Sequence, residues 1–383
     1  MPQLAPSRIA GFRRTPIAKR GGELSSIAAV ELSAAAGRAL LGDLGQLVPR
    51  ITHAVYGSSR LAGQGPNPAR RFALMSGLPD TVPAVTITCA CSSGIEAVIA
   101  AWRMVALGEA DIVLVGAGES MSQTPSALFH DWHGEGGKWK DLHISDGLMC
   151  PITGMLMAEQ AEALARDRGF SRATCDSVAL TSHRRYEQCR ALHESDIAPI
   201  DARGGWLSKD VLVRGEDRLP RVHTLDPLFG EGGIHTAATV SAVADGGAAM
   251  LIGGADIPCA IAELAAYITV AGTPDSTCTM PVNALTALGQ MLGRKQADFG
   301  ALEINEGFAS QLLACCADLE IGPEQANPFG GTLACGHPTG MTGLRLLGLH
   351  ARALSERQHK DAVVAVPVSG GMATAVYLRE VRR

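Results

Sequence analysis

No run of roughly 20 consecutive apolar residues occurs in this chain, so no part of it reads as a membrane-spanning helix. Met1 to Arg20 also lacks the apolar core, roughly 7 to 15 residues long, of a secretory leader. Charge of one sign is not concentrated anywhere: 33 Lys and Arg against 38 Asp and Glu leave a net charge of -5. Without a basic stretch to follow phosphates, nucleic acid is not an expected partner. The ten cysteines are scattered and none is paired as C-x-x-C, which speaks against a secreted disulfide scaffold and a zinc or redox motif. The expectation is a soluble, cytoplasmic protein with reduced thiols and no metal.

The 383 residues, 46% of them hydrophobic, suffice for two or three domain-sized units with a large core. Strand-like and helix-like segments alternate at both ends of the chain. Near the start, Ile9–Phe12, His53–Gly57, Val82–Ile87 and Asp111–Gly116 read as strands, and Ser26–Leu41, Pro68–Ser76 and Ser92–Leu107 as helices. After Ala260, strands are predicted at Ala260–Val270, Ala301–Ile304, Ala362–Val366 and Ala373–Leu378. Val282–Leu292, Phe308–Ala317 and Gly340–Leu354 carry the helical spacing there. Such alternation predicts an α/β fold with a mostly parallel sheet.

Between Glu119 and Val243 the pattern fails, with His, Trp, Gly and Lys crowded into Phe129–Leu142 and only Met157–Arg168 and Ser171–Gln188 clearly helical. The segment reads as an insertion over the sheet, the kind that forms a binding wall. A turn, a helix and an apolar strand ending in glycine occur at Cys91–Gly118 and again at Gly336–Gly371, which points to an internal duplication. The two matching turns should face each other.

Cys91 is the candidate nucleophile, because it stands where an apolar strand turns into a helix. Unpaired N–H groups and the helix dipole at that end favour a thiolate, and Ser92 or Ser93 could cap the helix. Cys89, two residues earlier, reads as an ordinary strand residue. Gly116-Ala117-Gly118 begins like a dinucleotide fingerprint, but Met121 replaces the third glycine and no helix follows, so nicotinamide binding is not expected.

Three further motifs fall on strand-to-helix turns or the last hairpin: Asn305-Glu306-Gly307-Phe308, Gly336-His337-Pro338 and Val368-Ser369-Gly370-Gly371. With Arg14-Thr15-Pro16, Cys91-Ser92-Ser93-Gly94, Gly118-Glu119-Ser120-Met121-Ser122 and the stretch from Thr236 to Ala249, they make nearly the whole chain resemble the thiolase family. The resemblance implies the thiolase-like fold, two duplicated α/β halves at 1–258 and 259–383 with a cap inserted at 119–243. It also implies an acyl-CoA C-acyltransferase that condenses acyl-CoA units or cleaves a 3-oxoacyl-CoA through acyl-Cys91, in fatty acid metabolism.

By the same resemblance His337 takes the Cys91 proton and Asn305, through a water, joins His337 in stabilising an enolate. The backbone N–H groups of Cys91 and Ser369 would form a second oxyanion hole. Ser241, Phe229, Arg221 and Met157 match residues that contact coenzyme A or the acyl chain. Coenzyme A would be substrate and product, with no further cofactor, and the assembly a homodimer or homotetramer.

One departure stands out. Where the family carries a second cysteine as acid and base, this sequence has Pro367, which can neither give nor take a proton. Cys335, Cys89 or His337 with water are the replacements that the sequence offers. The alternatives are an altered reaction (decarboxylative condensation or CoA-ester hydrolysis) and a non-catalytic CoA-binding subunit.

Overall fold

The computed structural model describes residues 4–130 and 136–381. The sequence-predicted crowding at 129–142 and the outermost ends of the two halves therefore fall partly outside the described residues. The first part of the chain supplies strands β1 (Ser7–Arg14), β2 (Ala18–Lys19), β3 (Ile51–Gly57), β4 (Ala84–Ile87) and β5 (Ile112–Glu119). Helices α1 (Ala29–Asp43), α2 (Pro68–Met75) and α3 (Ser93–Ala106) alternate with them.

Residues 120–243 follow, with hairpins β6 (Ser126–His130)–β7 (Gly137–Asp141) and β8 (Ile200–Ala202)–β9 (Gly205–Leu207). They also contain α4 (Met157–Asp167), α5 (Arg172–Gln188) and α6 (Arg190–Glu194). The chain then returns as β10 (Ala244–Gly253) and continues through β11 (Ala262–Ala271), α7 (Met280–Leu292) and β12 (Ala301–Ile304). Helices α8 (Ala309–Asp318), α9 (Thr332–Cys335) and α10 (Thr339–Ser355) and the hairpin β13 (Asp361–Val368)–β14 (Met372–Arg379) complete it.

The main sheet runs β12-β13-β14-β11-β1-β10-β5-β3-β4, with β2 beside β10. β1 and β11 pair antiparallel at its centre. Outward from β1 come β10 (antiparallel), β5 (antiparallel) and β3 (parallel). Outward from β11 come β14, β13 and β12 with the same three polarities. This two-fold repetition of order and direction is what an internal duplication produces.

The expected mostly parallel sheet is corrected: antiparallel neighbours outnumber parallel ones. One reason is the tight turn between β13 and β14, which admits only an antiparallel pair. Another is β10, a strand buried along its whole length that the sequence reading treated as a glycine-rich return. The two half-sheets face each other across α3 and α10. One core cluster joins Ile95, Trp102, Leu344 and Leu347 of these helices to Val113 and Val115 on one side and Val364 and Val366 on the other. Alternate residues of the same strands point outward, Ile112 and Leu114 under α1 and α2, Val363 and Ala365 under α7 and α8.

A helix apolar all round belongs between two layers, and α10 is buried over nearly its whole length. α3 and α10 approach so closely that a Cβ on Gly94 would lie 2.6 Å from the Gly340 carbonyl oxygen. That contact sets the N-terminal ends of the two matched helices side by side.

Residues 120–243 are tied back to the sheet by a buried ion pair. Arg14 donates from Nη1 to Asp210 Oδ1 at 2.7 Å and from Nη2 to Oδ2 at 3.0 Å, and Tyr186 Oη adds a bond to Oδ2 at 2.7 Å. Paired on all sides, the Asp210 carboxyl titrates below its usual range despite its burial.

Candidate active site

β4 ends at Ile87, and the chain passes through a single 3-10 turn, Ala90–Ser92, before α3 begins. Ser93 ties this turn: its Oγ accepts from Cys89 N at 2.9 Å and donates to Ala90 O at 2.7 Å. The knot holds Ala90 at φ +43°, a left-handed conformation that costs a non-glycine residue about 1–3 kcal/mol. Cys91 follows, half-buried. Neither serine caps α3 as expected, because Ser93 is committed to the turn and Ser92 Oγ reaches across to Val366 O at 3.4 Å.

Cys91 borders a cavity of about 490 Å³. His337, Asn305 and Ser369 border the same cavity, and so do Ser241, Met157 and Pro367. Six of the eight residues chosen from the sequence are thus brought together. Arg221 instead lines a neighbouring pocket that shares Ala237 and Ala242 with the first. Phe229 is half-buried, and Leu228 beside it is the residue that meets the main cavity.

The cavity wall is built by the segment 240–243. Val240 bridges Phe308, Ser241 N donates to Gly307 O at 3.0 Å, Val243 bridges His337, and His337 N donates to Ala242 O at 2.8 Å. This segment thereby fixes the spacing between the Asn305 loop and His337. Thr332, not noticed in the sequence, hydrogen-bonds Asn305 Oδ1 at 3.1 Å. The same hydroxyl is 2.7 Å from Glu306 O, so Thr332 ties the Asn305 side chain to the backbone of its own loop.

His337 lies just before α10. Its Nδ1 is 2.7 Å from Thr342 Oγ1, and that hydroxyl donates its only proton to Pro338 O at 3.0 Å. With its proton on Pro338 O, Thr342 accepts from the ring; in that arrangement the ring proton sits on Nδ1 and Nε2 keeps its lone pair. Burial, with Arg345 and Arg60 nearby, pushes the imidazole down to about 3, so it is neutral at physiological pH.

The Cys91 thiol moves the opposite way. The sequence predicted easier ionisation at the helix end, but burial pushes the thiol up to about 11, with Arg60 opposing and Glu119 and Cys89 adding to the rise. Desolvation outweighs the few aligned peptides of the first turn. The resting pair is thus a neutral thiol and a neutral imidazole with a free acceptor, which suits proton transfer during attack.

Glu119 joins the two halves behind this site. Its Oε2 accepts from Ser59 N (2.9 Å), Gly340 N (2.9 Å) and Thr339 Oγ1 (3.2 Å), and its Oε1 accepts from Arg60 N (3.1 Å) and Ser58 Oγ (3.3 Å). A carboxylate suits the N-terminus of α10, where N–H groups lack helical partners. It anchors the helix that carries Thr342.

Of the candidates named to replace the missing cysteine, His337 borders the cavity and neither cysteine does. Cys335 is fully buried in the central core and raised to about 11; Cys89 is half-buried beside Glu96, also at about 11. Among the described residues, no group of three or more His, Cys, Asp or Glu could hold a metal ion. No helix among them is long and apolar enough to cross a membrane.

Comparison with known proteins agrees with this geometry. Residues 7–256 match the model of the thiolase N-terminal domain and residues 259–380 that of the thiolase C-terminal domain. The chain belongs to the thiolase family. It is 33% identical over 383 residues to an acetyl-CoA acetyltransferase of Allochromatium vinosum, covering 95% of this chain and 96% of that one. To the acetyl-CoA acetyltransferase of a Synechocystis species it is 32% identical, covering 97% and 99%. The crystal structure of human mitochondrial 3-ketoacyl-CoA thiolase in complex with CoA superposes with a TM-score of 0.92 at 29% identity, over 99% of this chain and 98% of that one.

Proposed function

We propose that this thiolase, an acyl-CoA C-acyltransferase, works through an acyl group carried on Cys91, with His337 as its base and Asn305 and Ser369 as partners. The observation that carries this assignment is the convergence of all four on one cavity, with the Nε2 lone pair of His337 left free by Thr342. Nε2 takes the Sγ proton as sulfur attacks the thioester carbonyl carbon. The carbonyl oxygen, now an anion, is met by the backbone N–H groups of Cys91 and Ser369, each worth about 3 to 4 kcal/mol in the barrier. Collapse breaks the carbon–sulfur bond to coenzyme A, and its thiolate leaves with the proton from His337.

In condensation the acyl-Cys91 carbonyl is then attacked by the enolate of a second acyl-CoA. Its oxygen is held by His337 and, through a water, by Asn305. In thiolysis Cys91 attacks the 3-oxo carbon of a 3-oxoacyl-CoA, and the bond from that carbon to the α-carbon breaks. The departing enolate takes up the proton that Cys91 lost and leaves as acetyl-CoA, and coenzyme A then attacks acyl-Cys91. All of these transfers run through side chains and coenzyme A, so no further cofactor is needed. Ser241 and Met157 border the channel that pantetheine and the acyl chain would occupy, and Arg221 would meet the nucleotide end from the adjoining pocket. Phe229, next to the cavity-lining Leu228, would lie beside the pantetheine arm. Residues 119–243 act as the cap over the halves 1–258 and 259–383.

Free thiols at all ten cysteines support a reducing, cytoplasmic setting. Exposed Leu128, Phe129 and Trp139 on the β6–β7 hairpin support association into a homodimer or homotetramer. Turnover of acyl-CoA in fatty acid metabolism fits such an enzyme. A steady-state assay of acetoacetyl-CoA cleavage by coenzyme A tests the reading. Cleavage that disappears in His337→Ala is expected; hydrolysis of acetyl-CoA without cleavage or condensation would favour the altered reaction that Pro367 at the wall allows.

A further inference from the structure

A cavity of about 50 Å³ lies beside the first turn of α1 and shares no lining residue with the one that Cys91 borders. Ala29 and Val30 border it, together with Arg60 and Gln64 from the loop after β3, Arg71 of α2 and Ser120 just past β5. Three of these side chains are at least nine-tenths buried and still carry polar atoms without a partner: Arg60 at Nε and Nη2, Ser120 at Oγ, and Gln64 at Oε1. Arg60 uses only Nη1, which donates to Ser59 Oγ at 2.8 Å, and Glu119 takes its backbone N–H instead of its guanidinium. Among the described residues neither Arg60 nor Arg71 has an ion-pair partner. A guanidinium stays charged wherever it is placed, so its burial calls for a negative counterpart.

The helix adds to the positive field. Ala28 at the N-cap offers no capping side chain, and Glu31 Oε2 takes only the Ala28 N–H, at 3.2 Å. The N–H groups of Ala29 and Val30 keep no partner within the helix, and its dipole favours an anion at this end. Gln64 sets the opposite requirement. Its Nε2 is committed to Ser58 Oγ at 2.9 Å and to Arg60 O, so the Oε1 that remains can only accept. An ion with lone pairs alone would satisfy the donors and leave this oxygen bare, whereas one that keeps a hydroxyl satisfies both. A water needs roughly 10–15 Å³ of such space, so the cavity takes roughly three to five non-hydrogen atoms. Coenzyme A and its nucleotide are far too large.

We propose that this cavity binds a small oxyanion that retains one hydroxyl, hydrogen phosphate or bicarbonate, with Arg60, Ser120 and the first turn of α1 donating and Gln64 accepting. The site goes beyond the acyl-Cys91 reading and does not depend on it. Gly147 packs so closely on the Arg60 guanidinium that a Cβ would collide with it, and Gly147 borders the Cys91 cavity. A bound ion therefore pins the side chain that backs that wall.

The test titrates phosphate, bicarbonate and sulfate by calorimetry, at constant ionic strength, into wild type, Arg60→Gln, Ser120→Ala and Arg221→Ala. One saturable site per chain for phosphate or bicarbonate is expected, and the tighter of the two identifies the ion. Binding should weaken by about tenfold or more in Arg60→Gln and in Ser120→Ala, the scale of a lost hydrogen bond to a charged group, and stay unchanged in Arg221→Ala. Sulfate, which carries no proton at neutral pH, should bind about tenfold or more weakly than the better ligand, because Gln64 Oε1 is then left unpaired. Ser120→Ala removes one hydroxyl and keeps the guanidinium, so it decides the matter even where Arg60→Gln fails to fold. No saturable binding to wild type, binding kept in Ser120→Ala and Arg60→Gln, loss in Arg221→Ala in their place, or sulfate binding as tightly as the better ligand would each overturn the assignment.

Discussion

Replacing Thr342 by valine removes two hydrogen bonds, to His337 Nδ1 and Pro338 O, and leaves only the first of these partners unpaired. The shape of the side chain is kept, and Pro338 O still accepts from Met341 N at 2.9 Å and Thr342 N at 3.0 Å. The imidazole Nδ1–H alone loses its acceptor, now 2.7 Å away. A buried donor left without a partner costs about 1–3 kcal/mol, a cost the ring avoids by moving its proton to Nε2. At about 1.4 kcal/mol per factor of ten, the tautomer able to accept from Cys91 becomes roughly 5- to 150-fold rarer. The single-turnover rate of Cys91 acylation by acetyl-CoA should fall by that factor, with the half-saturating concentration little changed. Thr342→Ser, which keeps the oxygen, should restore it. Acylation in Thr342→Val within twofold of wild type would refute the role assigned to the Nε2 lone pair.

Other expectations concern the charges around the site. In Glu119→Gln, either placement of the amide nitrogen leaves at least one buried backbone N–H, of Arg60 or of Ser59 and Gly340, without an acceptor. A loss of about 1–3 kcal/mol in urea unfolding is expected, and unchanged stability would contradict the bridging role. Glu303, fully buried against His350, is pushed up to about 8 by burial, and His350 is pushed down to about 3, so both are neutral near pH 7. The unfolded carboxyl ionises near 4.5 while the folded one keeps its proton. The stability it contributes is therefore full below pH 4.5 and declines by up to about 1.4 kcal/mol per pH unit until pH passes 8. Glu303→Gln should remove that decline; identical pH profiles of unfolding would refute it. Finally, with the Cys91 thiol up at about 11, the ultraviolet difference between wild type and Cys91→Ala at pH 7 should show no thiolate band. A band there would mean a resting thiolate–imidazolium pair.

Much of this site could be read in the sequence because its reactive residues sit on turns next to glycine and proline, where local pattern is strongest. Cys91, Asn305, His337 and Ser369 are of that kind, and the structure gathers them on one cavity. Thr332 and Thr342 left no comparable mark, since each acts through a hydrogen bond that only the folded chain creates. The ionisation of Cys91 was misjudged because a helix end is a local feature, whereas desolvation comes from residues far apart in the sequence that close around the cavity.

For the fold, helices and outer strands followed their periodicity, but β10 is covered on both faces and has no alternation to reveal it. Gly247 did carry a signal: its Cβ would lie 2.3 Å from Ser33 N of α1, and an interior strand glycine often marks such close contact. Strand direction is another matter, because polarity depends on how the chain crosses between halves, and Phe229 and Arg221 depend likewise on the path of the cap.

Intact-mass measurement after mixing the protein with acetyl-CoA probes the Cys91 assignment most directly. One acetyl group on the wild type, absent from Cys91→Ala and released by added coenzyme A, is the expected result. An acetyl group that persists in Cys91→Ala, or a wild type that never gains one, would contradict it.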